Sequence, residues 1–259
     1  MTTPPITPPA TPPATPPATP PVGAWTTATI AEIEREDRLV RLRLDVADRI
    51  DHLPGQHYVV RLRAPDDYTA QRSYSVASDP ADPLLELMVE ALSDGEVSGH
   101  LHDEARVGDV LEVRGPIGGW FTWTGEQPAI AVGGGTGVVP LVAMMRYAAR
   151  LGVAERLRVI AVGKTLVDLP YAEELIAGGA FVATTRENLG SRVAAPPYPE
   201  EIIDLADGVE RAYVCGSVGF ASYAQRLLGE IGVRADTVRV EQFSAWGPES
   251  AASPARAPT

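Results

Sequence analysis

The sequence predicts an antiparallel β-barrel followed by an α/β domain built on a parallel sheet, and three observations carry that reading. Trp25 to about Thr122 keeps a period of two, and from Pro128 onward apolar β runs alternate with helical patterns. A glycine-rich loop joins the first of those runs to the first long helix. The 259 residues are 45% apolar, enough for a packed core in one or two domains.

The barrel half contains clean alternations over residues 38–44, 58–63 and 85–89. Turn signals separate them at Pro54-Gly55, Pro65-Asp66-Asp67, Asp79-Pro80 and Ser93-Asp94-Gly95. One short helix fits after Val97, with Ser98 as the candidate N-cap. In the second half, strands are expected over 129–132, 157–162, 180–184, 212–215 and 237–240. Helices are expected over about 137–151, 171–177 and 218–231. Near-continuous apolar strands imply a sheet covered on both faces, with ligands at the carboxyl ends of its strands. The expected organisation is a proline-rich arm at 1–23, the barrel at 24–122, the α/β domain at 123–247 and a tail at 248–259, with arm and tail disordered.

Ten of the 24 prolines fall in the first 22 residues, as a Thr-Pro-Pro repeat from Thr3 to Val22. Paired prolines favour solvated polyproline II and cannot enter a helix or an inner strand. The run has no basic start or apolar core, so it is not expected to be a secretory signal. A spacer and a ligand for a proline-binding partner both account for it.

Charge lies in the remaining residues. Residues 23–122 hold 10 Arg against 19 Asp and Glu, a net −9, and residues 123–259 hold the other −3 of the total −12. An acidic body argues against nucleic acid and against anionic membrane surfaces. The uncharged stretch Gln127–Met145 reads as strand, tight loop and helix rather than as a membrane span, because it contains four glycines and Pro140. A cytoplasmic monomer is the expectation. One cysteine excludes a disulfide framework or a cluster ligated by this chain's cysteines alone.

Five short motifs carry chemistry, and each also has a plain structural account. In Arg72-Ser73-Tyr74-Ser75 a guanidinium can grip a pyrophosphate and a tyrosine ring can lie on a flat heterocycle. An ordinary surface strand explains the same four residues. Gly95-Glu96-Val97-Ser98 suits phosphate at a helix start, or simply a turn and a capped helix. Gly133 to Gly137, interrupted by Thr136, exposes successive amides at a positive helix end and suits a diphosphate. Cys215-Gly216 ends the fourth parallel strand, where Cys215 is either a site residue or a small buried apolar side chain. Glu241 ends the last strand, as a solvated carboxylate or a proton relay. The four histidines read as barrel and loop residues.

Taken in this order, the residues resemble the ferredoxin–NADP reductase-like flavoproteins over about Ala24 to Phe243. Pro54-Gly55-Gln56 and Gly115-Pro116-Ile117-Gly118 add to that resemblance. It implies that the barrel binds FAD rather than FMN, and that the second domain binds NADPH or NADH. Arg72 would contact the FAD pyrophosphate, Tyr74 would pack on the isoalloxazine and ribityl, and Ser75 would hydrogen-bond near flavin N5. Ser73 belongs to the same motif, and Gly95, Val97 and Ser98 would hold the phosphates. Gly134, Gly135, Thr136 and Gly137 would line the nucleotide site, Cys215 would face the nicotinamide, and Glu241 would lie near the flavin. The implied chemistry is hydride transfer from nicotinamide C4 to flavin N5. Ser75, Cys215 and Glu241 are then the candidate catalytic residues.

Three departures matter. Ser217 stands where many relatives have proline, which loosens the expected turn. The chain continues past Phe243 and Trp246, putting an aromatic cover over the flavin in doubt. No four-cysteine segment is present, so electrons must leave to a separate acceptor such as a ferredoxin, an oxygenase or another oxidoreductase component. Thr185-Arg186 with Arg192 resembles a 2′-phosphate grip, to which Lys164 adds, and so NADPH is expected to be preferred. The alternatives are a reductase that releases reduced flavin and a non-catalytic electron-transfer subunit.

Overall fold

The computed structural model describes residues 23–243; the proline-rich arm, Trp246 and the tail lie outside the described residues. The first half holds β1 (Trp25–Glu36), β2 (Leu39–Val46), β3 (His57–Arg63), β4 (Thr69–Ser75), β5 (Leu85–Glu90), α1 (Glu96–Asp103) and β6 (Val110–Ile117). These six strands form one antiparallel sheet in the order β4-β3-β6-β1-β2-β5. On β2 the period-two pattern is explicit: Val40, Leu42 and Leu44 are buried, while Arg41 and Arg43 reach outward. A Val76–Leu87 bridge draws the two edge strands together at one end, and α1 packs against the open seam. Val97 and Leu101 carry α1 into the barrel core beside Tyr58, Leu42 and Leu87.

The helix begins one turn earlier than expected. Gly95 is its N-cap and Ser98 lies inside its first turn. Serine is a good cap by type, but this hydroxyl is already engaged, accepting from the Leu92 amide at 3.3 Å.

The second half holds β7 (Ala129–Gly134), α2 (Val139–Leu151), β8 (Leu157–Gly163), α3 (Ala172–Ala177), β9 (Phe181–Thr184), α4 (Pro199–Ile202), β10 (Arg211–Ser217), α5 (Val218–Glu230) and β11 (Val238–Phe243). A 3-10 turn over Gly135–Val138 precedes α2, so the α-helix starts slightly later than its sequence pattern. The five strands are parallel in the order β11-β10-β7-β8-β9. α2 and α3 cover one face through Leu141, Met144 and Leu175. α4 and α5 cover the other through Ile202, Ala221 and Leu227. Strand order reverses between β7 and β10, which makes that crevice the topological switch point where such sheets take ligands.

The segment between barrel and sheet is packed. Phe121 and Trp123 are buried, the Trp123 indole donates to the Gln127 carbonyl at 2.9 Å, and Tyr213 donates to the Thr122 carbonyl at 2.8 Å. A second junction forms around Glu86 of β5, whose side chain is only 5% exposed. Arg146 of α2 donates to Glu86 at 2.8 Å and to the Ala77 carbonyl at 3.0 Å, while its other donors pair with Glu174. Tyr171 adds a hydroxyl to Glu86 at 2.8 Å. Burial first, and the Glu86 carboxylate second, push the Tyr171 phenol well up, so it remains a donor.

Candidate functional site

β4 is an edge strand, and it presents the Arg72–Ser75 motif beside the start of α1. Arg72 is exposed; its one side-chain hydrogen bond goes to the adjacent Gln71 carbonyl, and it has no carboxylate partner among the described residues. Tyr74 packs against the barrel core, but its hydroxyl is buried without a partner. Burial, the largest cause, holds that phenol far above its ordinary range. At α1 no side chain caps the first turn, which leaves amides of the Val97–Ser98 turn open. Tyr68 donates to Glu96 at 2.8 Å, tying the β3–β4 turn to that helix end. A guanidinium without a carboxylate, a buried orphan hydroxyl and open helix amides on neighbouring elements fit a ligand with phosphates and an extended polar body.

The glycine loop sits at the switch point. A Cβ on Gly137 would run into the Cys215 carbonyl, and one on Gly134 would lie 2.6 Å from the Phe220 ring. These glycines therefore let β7, β10 and α5 approach closely, and no local pattern in the chain marks Phe220 as the residue that fills the gap. Gly135 differs: its φ is +55° and nothing lies within 4 Å of its missing Cβ, so the open side of the loop is there. Thr136 is half-buried next to it. Ser217, expected to loosen this turn, instead caps α5 by accepting from the Phe220 amide at 3.3 Å.

Cys215 is buried at the end of β10, where it pairs in register with Gly133 of β7 and Glu241 of β11. Burial first, and the Glu241 carboxylate second, push its thiol far up. It is a neutral thiol at physiological pH, not a nucleophile. Iodoacetamide at pH 8 is expected to label Cys215 at least about tenfold more slowly in the native protein than in the unfolded chain, as read by mass spectrometry. Glu241 is partly buried: one oxygen lies 3.7 Å from His57 Nδ1 of β3, and the other is buried without a partner among the described residues. His57 in turn pairs in register with Ser75. Ser75, Cys215 and Glu241 are thus brought together across the junction, with His57 as a link that the sequence reading left among barrel residues. Its one local signal was its place directly after Pro54-Gly55-Gln56.

The two arginines of the expected 2′-phosphate grip do not stand together. Arg192 is spent on the protein: Nε and Nη2 meet the two Glu201 oxygens at 2.8 and 2.9 Å, and Nη1 and Nη2 reach the Ala195 and Pro196 carbonyls at 2.8 and 2.9 Å. The guanidinium is needed where it is and has no fork left for a phosphate. Arg186 is exposed at the end of β9, and its amide donates to the Lys164 carbonyl at 2.8 Å, bringing a second exposed cation alongside. Among the described residues no group of His, Cys, Asp or Glu is placed to hold a metal ion, and no helix is long and apolar enough to cross a membrane.

Residues 26–122 match the oxidoreductase FAD-binding domain family. The whole fold is that of the FAD/NAD-binding domain of a nitric oxide dioxygenase from Vibrio cholerae, at TM-score 0.75 and 22% identity over 84% of this chain and 98% of that one. The chain thus has the two-domain fold of these FAD- and nucleotide-binding proteins, and its first domain matches an FAD-binding family. A ferredoxin NADP+ reductase from Neisseria gonorrhoeae, solved with bound FAD and NADP, superposes on this chain at TM-score 0.69 and 17% identity, covering 84% and 98% of the two chains. Among curated proteins it is 26% identical to the ferredoxin–NAD(P)+ reductase component of naphthalene dioxygenase/salicylate hydroxylase systems from Ralstonia sp., over 84% of this chain and 68% of that one. It is 34% identical to methane monooxygenase component C from Methylosinus trichosporium, over 65% of this chain and 51% of the relative. Across seven such relatives the chain spans 44% to 68% of their length. The family that residues 26–122 match is an FAD-binding one.

Proposed function

We propose that this chain is a flavoprotein that takes a hydride from NAD(P)H and passes electrons on to a separate acceptor protein, a ferredoxin, an oxygenase or another oxidoreductase component. The observation that carries the proposal is the chain of contacts Ser75–His57–Glu241–Cys215, which joins the barrel's flavin strand to the switch point of the parallel sheet. FAD, once bound, supplies the capacity to accept a hydride and to return electrons singly. The protein supplies grip, alignment and exclusion of water. Arg72 and the α1 amides of Val97 and Ser98, with Gly95 admitting the close turn, hold phosphates; Tyr74 packs beside the ring and Ser75 hydrogen-bonds to it, next to Ser73. Gly134 to Gly137 and the start of α2, which has no acidic residue in its first turn, receive the coenzyme diphosphate. Cys215 gives the nicotinamide a neutral, apolar neighbour, with Glu241 behind it. The names of the relatives describe the same work, as reductase components of dioxygenase and monooxygenase systems.

Purified protein is expected to show a band near 450 nm that survives desalting, bleaches anaerobically with NAD(P)H and returns on adding an acceptor protein. Loss of the band on desalting points instead to release of reduced flavin, and failure to bleach with either coenzyme points to a non-catalytic subunit. The two units then lie at 24–122 and 123–247, in a cytoplasmic monomer whose oligomeric state light scattering measures.

Arg186 and Lys164 are the cations left to meet a 2′-phosphate. Arg186→Ala is expected to raise KM for NADPH about tenfold and leave NADH within twofold, since a charge-assisted contact to phosphate contributes roughly 1.5 kcal/mol. Steady-state kinetics with both coenzymes decide it, and equal effects on both sink the NADPH preference.

A further inference from the structure

His57 is the barrel residue that reaches furthest into the other domain's chemistry. Its neighbours across the sheet are Ser75 on one side and Ile117 on the other. The tight turn after β6 backs the ring, since a Cβ on Gly118 would lie 3.5 Å from Nδ1. Nδ1 lies 3.7 Å from Glu241 Oε1, with the two side chains 19% and 31% exposed. Glu241 Oε2 is buried and has no partner among the described residues. The other charged group on that strand, Arg239, is turned away over Trp120, with Nη1 donating to the Thr122 carbonyl. Among the described residues of this cluster His57 is therefore the group nearest the carboxylate, at ion-pair distance.

A purely structural bridge is a poor account of this pair. A partly exposed ion pair contributes about 0–1 kcal/mol. The buried Glu86–Arg146–Tyr171 junction and the packed linker already join the two halves with more hydrogen bonds in drier surroundings. A glutamate left free in this place samples several rotamers, and fixing it costs up to about 2 kcal/mol of side-chain entropy. Anchoring Oε1 offsets that cost in advance and keeps Oε2 at one place beside Cys215.

Building on the reductase reading, we propose that His57 is a positioning residue for the hydride-transfer site: it holds Glu241 by Oε1 so that the second oxygen stays at the junction of the Ser75 face and Cys215. His57 acts through Glu241 and touches neither reactant.

The test is a double-mutant cycle on the full-length flavin-loaded protein, using His57→Leu, Glu241→Gln and the two combined, with His57→Asn as the conservative variant. The readouts are the flavin midpoint potential by dye-linked reductive titration, the rate of bleaching at saturating NAD(P)H, and the dissociation constant of oxidised coenzyme. In His57→Leu the carboxylate is no longer held in place, so the potential shifts and bleaching slows about tenfold while coenzyme affinity stays within twofold. Glu241→Gln moves the potential positive, and adding His57→Leu to it changes neither quantity further. His57→Asn, whose amide reaches about as far as Nδ1, recovers most of the loss. Equal effects of His57→Leu with and without Glu241, or a potential that does not move, overturn the proposal. A wild-type protein that holds no flavin, or does not bleach, overturns the reductase reading itself, so the two failures are told apart. Should the leucine variant fail to retain flavin, His57→Asn with and without Glu241→Gln completes the same cycle.

Discussion

Arg72→Ala is expected to empty the flavin site while leaving the fold intact. The side chain is exposed on an edge strand and pairs with no carboxylate, so its removal costs the apo-protein about 0.5 kcal/mol or less. At the proposed flavin site the same guanidinium would make a charge-assisted, two-pronged contact to phosphate, contributing about 2–3 kcal/mol. The dissociation constant for FAD should rise roughly 30- to 140-fold, at 1.4 kcal/mol for each tenfold. The ratio of absorbance at 450 to 280 nm after desalting, followed by fluorescence titration with FAD, measures it. Arg72→Lys keeps the charge but loses the planar fork and should fall between the two. Full flavin retention in Arg72→Ala would move the phosphate site away from β4. Arg192→Ala is the contrasting case, since it unties Glu201 and the 195–196 carbonyls and should lower stability without emptying the barrel.

Arg146→Met should be the most destabilising of the substitutions considered. It strips Glu86, whose side chain is 5% exposed, of its principal cation and leaves it the Tyr171 hydroxyl and an Arg43 nitrogen at 3.9 Å. Breaking a buried pair from one side costs about 3–5 kcal/mol because a charge is left behind. For a fold of this size that lowers Tm by about 10 °C. Replacing both partners, as Glu86→Leu with Arg146→Met, removes the stranded carboxylate, and the double variant should melt above the single one. Thermal denaturation of the three proteins checks the ordering. A single variant that melts together with the wild type would mean that the junction is wetter than its geometry implies.

The contrast between these two arginines shows what the sequence can and cannot reveal. The proposed role of Arg72 was legible because it is written in adjacent residues: the strand, the tyrosine two positions on and the serine after it. The same holds for the barrel strands, whose alternation survives intact in β2, and for the glycine loop, whose order after an apolar run marks the start of α2. Arg146 was not legible, since its partners Glu86 and Glu174 lie 60 and 28 positions away and only the folded chain brings them together. His57 and Glu241 are further apart still. Arg192 shows the opposite error: a local pattern suggested a ligand, and Glu201, nine positions on, had already taken the guanidinium. Ser98 failed in the same way on a smaller scale, because residue type favours a cap while the Leu92 amide had first claim on the hydroxyl. Patterns within a few residues report element type; which polar group is already satisfied depends on contacts that no window contains.

The strand that carries Arg72, Tyr74 and Ser75 sits at the edge of its sheet, and among the described residues it pairs along its length only with β3. An unpaired strand edge is a template for other strands, and proteins commonly protect it with a charge, a bulge or a cover. Here the bridge at Val76 shields one end, α1 leans on the seam, and the stretch between carries the proposed flavin motif. On the proposed site the cofactor also covers this margin, so loading flavin and staying free of other copies become two sides of one event: added FAD is expected to lower self-association of the apo-protein, as light scattering would show.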